Sequence, residues 1–518
     1  MMLWTKAEQA IAWAAGMAAL VAAGSARPAS DWPSYLGPCG NFSERSGAKL
    51  LDDMTKVRLA WESEETRIGY GKALSSAARG LGPEFRDLPP GGMGSPIVAG
   101  GLVVMSYFTP TGEVWDTEVE KLSGDRFLKS RWLVDADDVV IGIDAATGKT
   151  RWKQVFAGKG ANTGSGKRGG WAITPATADG RVFALGTTGR LYALNLATGK
   201  PLWEADIGER HKALEAMKAK ALADRRIVKA TLYGGLLVVD GVLIAPDFNG
   251  GLLGADVKDG KTLWRRKEGL TSGFNMPCPV RIGGKSFIAT ANRTGDLRLL
   301  RPASGEVLWT VALDCEHLTQ PVASDEHLFV FQPNPTYSGD NPKRKGGYGV
   351  LAAWRFDEKG ARRDWALAGE YIHELHCDAG PSRRVVPRDG LVYYLNWTAH
   401  PQKARRLFIL REKDGAILKS ADADFDQFYL WGDRLIAVSD LQHRPRAANA
   451  EIWQLHTVDP ADFRPLGDRW HVNDPKSPVH VATGGYEVPV YEPFADGFMF
   501  CRVMGGIRCY DLRKAAAQ

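Results

Sequence analysis

Arg190-Leu-Tyr-Ala-Leu-Asn-Leu-Ala-Thr-Gly-Lys-Pro-Leu-Trp203 decides the fold. Leu191, Ala193 and Asn195 alternate with Tyr192, Leu194 and Leu196, as the two faces of a pleated strand require. Ala197-Thr198-Gly199-Lys200 is turn chemistry, because glycine takes positive φ without steric cost. Pro201-Leu202-Trp203 then starts a return strand with a large ring to bury. The unit recurs at Asp144-Ala-Ala-Thr-Gly148 through Trp152, at Asp256-Val-Lys-Asp-Gly260 through Trp264, and at Arg301-Pro-Ala-Ser-Gly305 through Trp309. Weaker copies run from Trp354 through Gly360 to Trp365, and from Leu410 through Gly415 to Leu418. A period of roughly 45 to 60 residues is that of a propeller blade, not of a short solenoid repeat.

Outward from these copies, eight units follow in order. They begin near Ser95, Trp171, Thr231, Asn275, Thr319, Gly380, Phe425 and Tyr486. The seventh has lost the turn motif, having Asp459-Pro460-Ala461-Asp462 instead. The eighth supplies only three strands before the chain stops, whereas Val57–Glu62 is a strand with no neighbour. Pairing the two predicts an all-β, eight-bladed β-propeller of four-stranded antiparallel blades, closed by an N-terminal strand completing the last blade. The domain reading is a signal peptide at 1–26, an irregular segment at 27–56 lying across the ring surface, and the propeller at 57–518. An Ala-, Leu-, Lys- and Glu-rich stretch at 209–230 reads as a helical insertion. The leader rests on Lys6, the apolar run Ala10 to Ala23 and the small residues Gly24-Ser25-Ala26. The run is short for a bilayer span and no other stretch could span, so an exported, periplasmic or otherwise extracytoplasmic protein is expected.

The 518 residues carry a net charge of only +6, with basic groups scattered, which argues against nucleic acid. Of six cysteines, Cys501 and Cys509 flank a hairpin and could face each other. Buried free thiols are the reading preferred, because so large a core needs no staples.

The Asp/Asn-x-x-Thr-Gly-x-x-x-Trp repeat, the blade starts Ser95-Pro96-Ile-Val and Pro277-Cys-Pro279-Val, and the opening Asp31-Trp32-Pro33-Ser-Tyr-Leu-Gly37-Pro38 resemble the pyrroloquinoline-quinone (PQQ) repeat family. That family includes quinoprotein alcohol dehydrogenases and a non-catalytic scaffold of outer-membrane protein assembly, the BamB type. The dehydrogenase branch implies a quinone under a disulfide of adjacent cysteines, with Ca²⁺ on Glu, Asn and Asp. This chain has neither adjacent cysteines nor a Cys-x-x-Cys-His haem site. The function expected is therefore a binding or assembly scaffold without catalysis, whose faces meet a protein partner or small ligand. The alternative is a PQQ-dependent or metal-dependent oxidoreductase, with PQQ and calcium as its cofactors.

Candidate ligand or metal residues are those just before each inner strand, which converge on one axial mouth: Trp171, Asn275, Cys278, His317, His373, His376 and Cys377. Imidazole and thiolate suit Zn²⁺ or Cu. The spacing matches no established metal motif, and hydrogen-bonded loop residues with buried thiols are the plainer reading. Gly158 to Arg168 fails the phosphate-loop pattern, because Arg168 stands where Ser or Thr is required. The Gly-x-Ser-x-Gly nucleophile elbow is absent.

Overall fold

A computed structural model describes residues 31–514 except 69–89, 93, 117–132, 163–172, 208–233, 248–249, 268, 272–275, 293–294, 314–319, 334–347, 369–372, 375–383, 397–404, 426, 440–453, 472–491 and 504–505. The leader at 1–26 and the helical insertion at 209–230 lie outside the described residues. Among the described residues, a single 3-10 turn at Met54–Lys56 accompanies strands and turns only.

Eight sheets form, one per repeat: seven are built on four sequential strands, with a fifth strand added in blades 5 and 7, and the eighth on three sequential strands plus one from the N-terminal segment. Blade 1 is Ile97–Ala99, Leu102–Asp116, Leu133–Asp144 and Thr150–Asn162. Blade 8 is Phe494–Ala495, Phe498–Val503 and Gly506–Asp511, with Arg58–Glu62 as its outer strand. The closure expected from sequence is present, with Arg58 opposite Asp511, Trp61 opposite Cys509 and Glu62 opposite Arg508. Two ion pairs clamp it, Arg58 to Asp511 at 2.7 Å and Arg508 to Glu62 at 2.6 Å. Pairing the open edge of blade 8 removes the last exposed inner-to-outer break in the ring.

The repeat motif joins neighbouring blades as well as packing within its own. The indole N–H of Trp61 donates to the Ala145 carbonyl of the next blade at 3.0 Å. Trp152 donates to Leu196 (2.9 Å), Trp203 to Val257 (3.0 Å), Trp264 to Pro302 (2.6 Å), Trp309 to Asp357 (2.8 Å) and Trp365 to Glu412 (2.7 Å). The acceptor is always the residue three before the turn glycine. That glycine then lies against the ring: a Cβ at Gly148, Gly260 or Gly415 would sit 2.6 Å from Trp61, Trp203 or Trp365 respectively. The glycine is therefore needed twice at Gly148, Gly199, Gly260, Gly305 and Gly415, for positive φ and for lack of a side chain, whereas Gly360 meets neither demand. A register shift between the third and fourth strands, as between Gly142 and Ile143 or Leu299 and Leu300, aims each tryptophan outward across the seam.

The seam between blades 6 and 7 differs. The register places Lys419, not Leu418, where the tryptophan stands elsewhere, opposite Ile409. Lys419 Nζ reaches the Ala461 carbonyl at 3.5 Å, in place of an indole N–H. The turn glycine is replaced by Phe463, which holds φ +60. Phe463 packs into the cluster of Leu407 and Ile409 of blade 6. The aromatic ring has changed sides of the seam.

The paired strands Phe498–Val503 and Gly506–Asp511 carry the two late cysteines on opposite faces. Cys501 opposes Arg508, and Cys509 opposes Phe500. Both are free, and burial pushes both thiols up. The reading of buried free thiols holds for this pair.

Candidate functional site

The irregular N-terminal segment is a strap across one mouth of the ring. Trp32 bridges Val98 of blade 1 with bonds of 2.7 and 3.1 Å, and the Pro33 carbonyl accepts from Thr177 of blade 2 at 2.8 Å. Tyr35 lies against Gly235 at the start of blade 3, and Gly40 against Pro279 of blade 4. Asn41 Nδ2 donates to the Pro387 carbonyl of blade 6 at 3.1 Å. Ser43–Glu44 then pairs parallel with Leu430–Trp431 of blade 7, and Leu51 N–H donates to Leu512 of blade 8. Trp32, Tyr35, Leu36, Phe42, Leu50 and Met54 are all buried in the cluster that joins blades 1, 7 and 8. Each such side chain contributes about 1.5–3 kcal/mol of burial, so the strap is part of the core and not an appendage.

Between blades 4 and 6 the strap passes over open space, a cavity of about 1140 Å³. Its roof is Pro33 to Asn41 of the strap. Its walls are the first hairpins of blades 3 to 6 with the outer turn at Glu412–Lys413. Five cations and five carboxylates line it, and no aromatic ring does so among the described residues. Most of these charges are already answered. Arg45 and Arg388 share Asp389 at 3.0 and 3.5 Å, and Arg355 holds Glu326 at 3.4 Å.

Behind the wall lies a buried imidazole. His327 places Nε2 3.2 Å from Asp364 of its own blade 5 and Nδ1 3.1 Å from Glu412 of blade 6. Burial opposes its charge, but the hydrogen bonds to Glu412 and Asp364 together outweigh that and raise the imidazole above its ordinary value. Burial likewise opposes the two carboxylates, yet Arg355 with His327 holds Asp364 low, and His327 with Ser324 holds Glu412 low. Ser324 Oγ also donates to Glu412. Serine, histidine and carboxylate are thus together without forming a nucleophilic triad. The serine bonds the carboxylate, and both imidazole nitrogens are occupied by acids.

This mouth is the one opposite to that read from sequence. Residues just before an inner strand lie at one end of it, and the hairpins lining the cavity lie at the other. Of the seven candidates, Trp171, Asn275, His317, His376 and Cys377 lie outside the described residues. His373 opens a short strand that pairs with Tyr348–Gly349 of blade 5. Cys278 begins the inner strand of blade 4, buried among Val280, Phe287 and Ala289. Burial pushes its thiol up to about 12, so it remains protonated at neutral pH and serves as packing. No cluster of three or more His, Cys, Asp or Glu side chains disposed to hold a metal occurs among the described residues.

The model of a family described as outer membrane protein assembly factor BamB matches residues 101–266 and 248–449, more than half of the chain. The chain belongs to this PQQ-like, BamB-like propeller family. BamB of Yersinia pestis is 23% identical over 353 residues, covering 57% of this chain and 83% of that protein. BamB of Escherichia coli is 31% identical over 158 residues, covering 30% of this chain and 36% of that one. Among solved structures, BamB of Moraxella catarrhalis matches at 13% identity and a TM-score of 0.43, over 74% of this chain and 93% of that one. A europium-containing methanol dehydrogenase matches at 13% identity and a TM-score of 0.41, over 94% and 98%. At such scores neither likeness bears on function.

Sequence reasoning missed His327 and the strap-side cavity. His327 opens an inner strand pair without any motif. The strap's aromatic anchors Trp32, Tyr35 and Phe42 were the available signal, since an irregular segment rich in rings must bury them against something.

Proposed function

We propose that this protein is an exported binding and assembly module, presenting its strap-side mouth to a protein partner outside the cytoplasm. The observation that carries it is the preformed, charge-balanced cavity, most of whose acids and bases are held by each other rather than poised against a nucleophile. The relatives named outer membrane protein assembly factor support the reading. A preformed polar concavity on a rigid ring is suited to recognition with little reorganisation.

The test is chemical cross-linking of the tagged full chain in the extracytoplasmic fraction. A stoichiometric partner is expected, and recovery of none refutes the reading. Oxidation of alcohols by the purified protein, dependent on added PQQ and Ca²⁺, would replace it with the quinoprotein alternative.

A further inference from the structure

We propose that the strap-side cavity takes an extended polypeptide segment whose charges run acidic, basic, acidic. This deepens the binding-module reading and rests on it. Three charged side chains lining the cavity carry no ion pair or hydrogen bond to another described residue: Arg281, Asp325 and Lys413. All three are exposed. They belong to consecutive blades 4, 5 and 6, so their order around the mouth is positive, negative, positive. A ligand that answers them presents the reverse order.

Size and lining favour a chain over a compact small molecule. Small-molecule pockets hold roughly 300–1,000 Å³ and are mostly apolar and aromatic. This cavity is larger, at about 1140 Å³, and its described lining has no ring. Strand addition is not the mode. Pro279 and Pro387 have no N–H to give on the inner strands of blades 4 and 6, and the Pro387 carbonyl is already taken by Asn41. Recognition must come from side-chain charge. The strap leaves room for it, because its contacts pass from Pro279 of blade 4 to Pro387 of blade 6 and leave the blade 5 turn at Asp325 uncovered.

The probes are two fluorescein-labelled, capped peptides, Gly-Glu-Gly-Ser-Lys-Ser-Gly-Glu-Gly and its charge inverse Gly-Lys-Gly-Ser-Glu-Ser-Gly-Lys-Gly, titrated against the full chain at low salt. The first is expected to bind saturably and about ten-fold tighter than the second. Raising salt should weaken it, since exposed charges are screened. The triple variant Arg281→Glu, Asp325→Lys, Lys413→Glu should invert the preference while keeping its melting temperature, because these side chains hold nothing in place. Equal binding of both peptides, binding of neither, or a triple variant that folds and keeps the original preference overturns the proposal. Cross-linking separates this failure from the wider one. If the wild type and the triple variant capture the same partner equally, the cavity proposal falls and the binding module stands. If the wild type captures none, the module reading falls.

Discussion

The seam between blades 6 and 7 offers a test of what the repeat motif is for. At six seams an indole crosses to a turn carbonyl, and at five of them it rests on a glycine; at this one Lys419 and Phe463 stand in those places. If ring and glycine are one unit, the two substitutions must be coupled. Lys419→Trp alone drives an indole toward a turn that has a Cβ and a phenyl ring, the position where a Cβ elsewhere would lie 2.6 Å from the indole. Overpacking of this kind costs about 1–3 kcal/mol. Phe463→Gly alone empties a buried site, a truncation costing about 3–5 kcal/mol. Relief of the positive φ returns about 1 kcal/mol. The singles therefore sum to about 3–7 kcal/mol. The double variant refills the volume from the other side and gives the indole N–H the Pro460 carbonyl, three residues before the turn position. It should cost about 1 kcal/mol, a favourable interaction energy of at least about 2 kcal/mol. Urea unfolding of the four members of the cycle, followed by circular dichroism, measures it. Additivity within about 0.5 kcal/mol would refute the claim that ring and glycine act together.

Further outcomes follow from single positions. Gly199→Ala, at φ +68 against the Trp152 ring, should cost about 2–3 kcal/mol, whereas Gly360→Ala, with nothing near its Cβ, should change urea stability by less than about 0.5 kcal/mol. Trp32→Ala should lower stability by about 3–5 kcal/mol, because the strap ring is buried; a loss under 1 kcal/mol would make the strap an appendage. His327 has a folded value raised above 6.5, so its stabilisation is full below about pH 6.5 and is lost as pH rises through the raised value. Asp364 and Glu412 are lowered, so theirs is present above about pH 4.3 and lost as pH falls through the lowered values. The melting-temperature difference between wild type and His327→Gln should accordingly shrink from pH 6 to pH 9, and a flat or growing difference sinks the clasp. A maleimide probe should label native Cys39 alone among the four described thiols, with Cys278, Cys501 and Cys509 reacting only in denaturant.

The ring was legible in the sequence because each blade writes its own turn: Thr198-Gly199 and Trp203 spell a hairpin and a ring to bury without reference to anything distant. The closure was legible for the same local reason, since Val57–Glu62 lacked a partner and blade 8 lacked a strand. What the motif could not show is its direction. Trp203 binds Val257, 54 residues ahead, and no spacing within one copy records that. Blade 6 was read as ending its motif at Leu418, but the register shift at Ile409 and Leu410 brings Lys419 to the seam instead. The candidate site was less legible still. The cavity is made by hairpins from four blades and a strap far away in sequence, none bearing a motif. His327 draws its character from Glu412, 85 residues on.

The strap and the closing strand are one continuous stretch, and this couples the site to the ring. Residues 31–54 cross the mouth, and Arg58–Glu62 completes blade 8 only a few residues later. Arg58 meets Asp511 across 453 residues of sequence, while Asn41 meets Pro387 across 346. Contacts of such separation repay loop-closure entropy only after the intervening blades have formed. The cavity roof therefore cannot exist before the ring is shut, and loosening the closure must loosen the roof. Arg508→Ala, which removes the largely buried guanidinium that answers Glu62, weakens the closure far from the cavity. It should nonetheless increase hydrogen exchange at Asn41–Glu44 as well as at Arg58–Glu62. Exchange that rises only in the closing strand would show that strap and closure open independently.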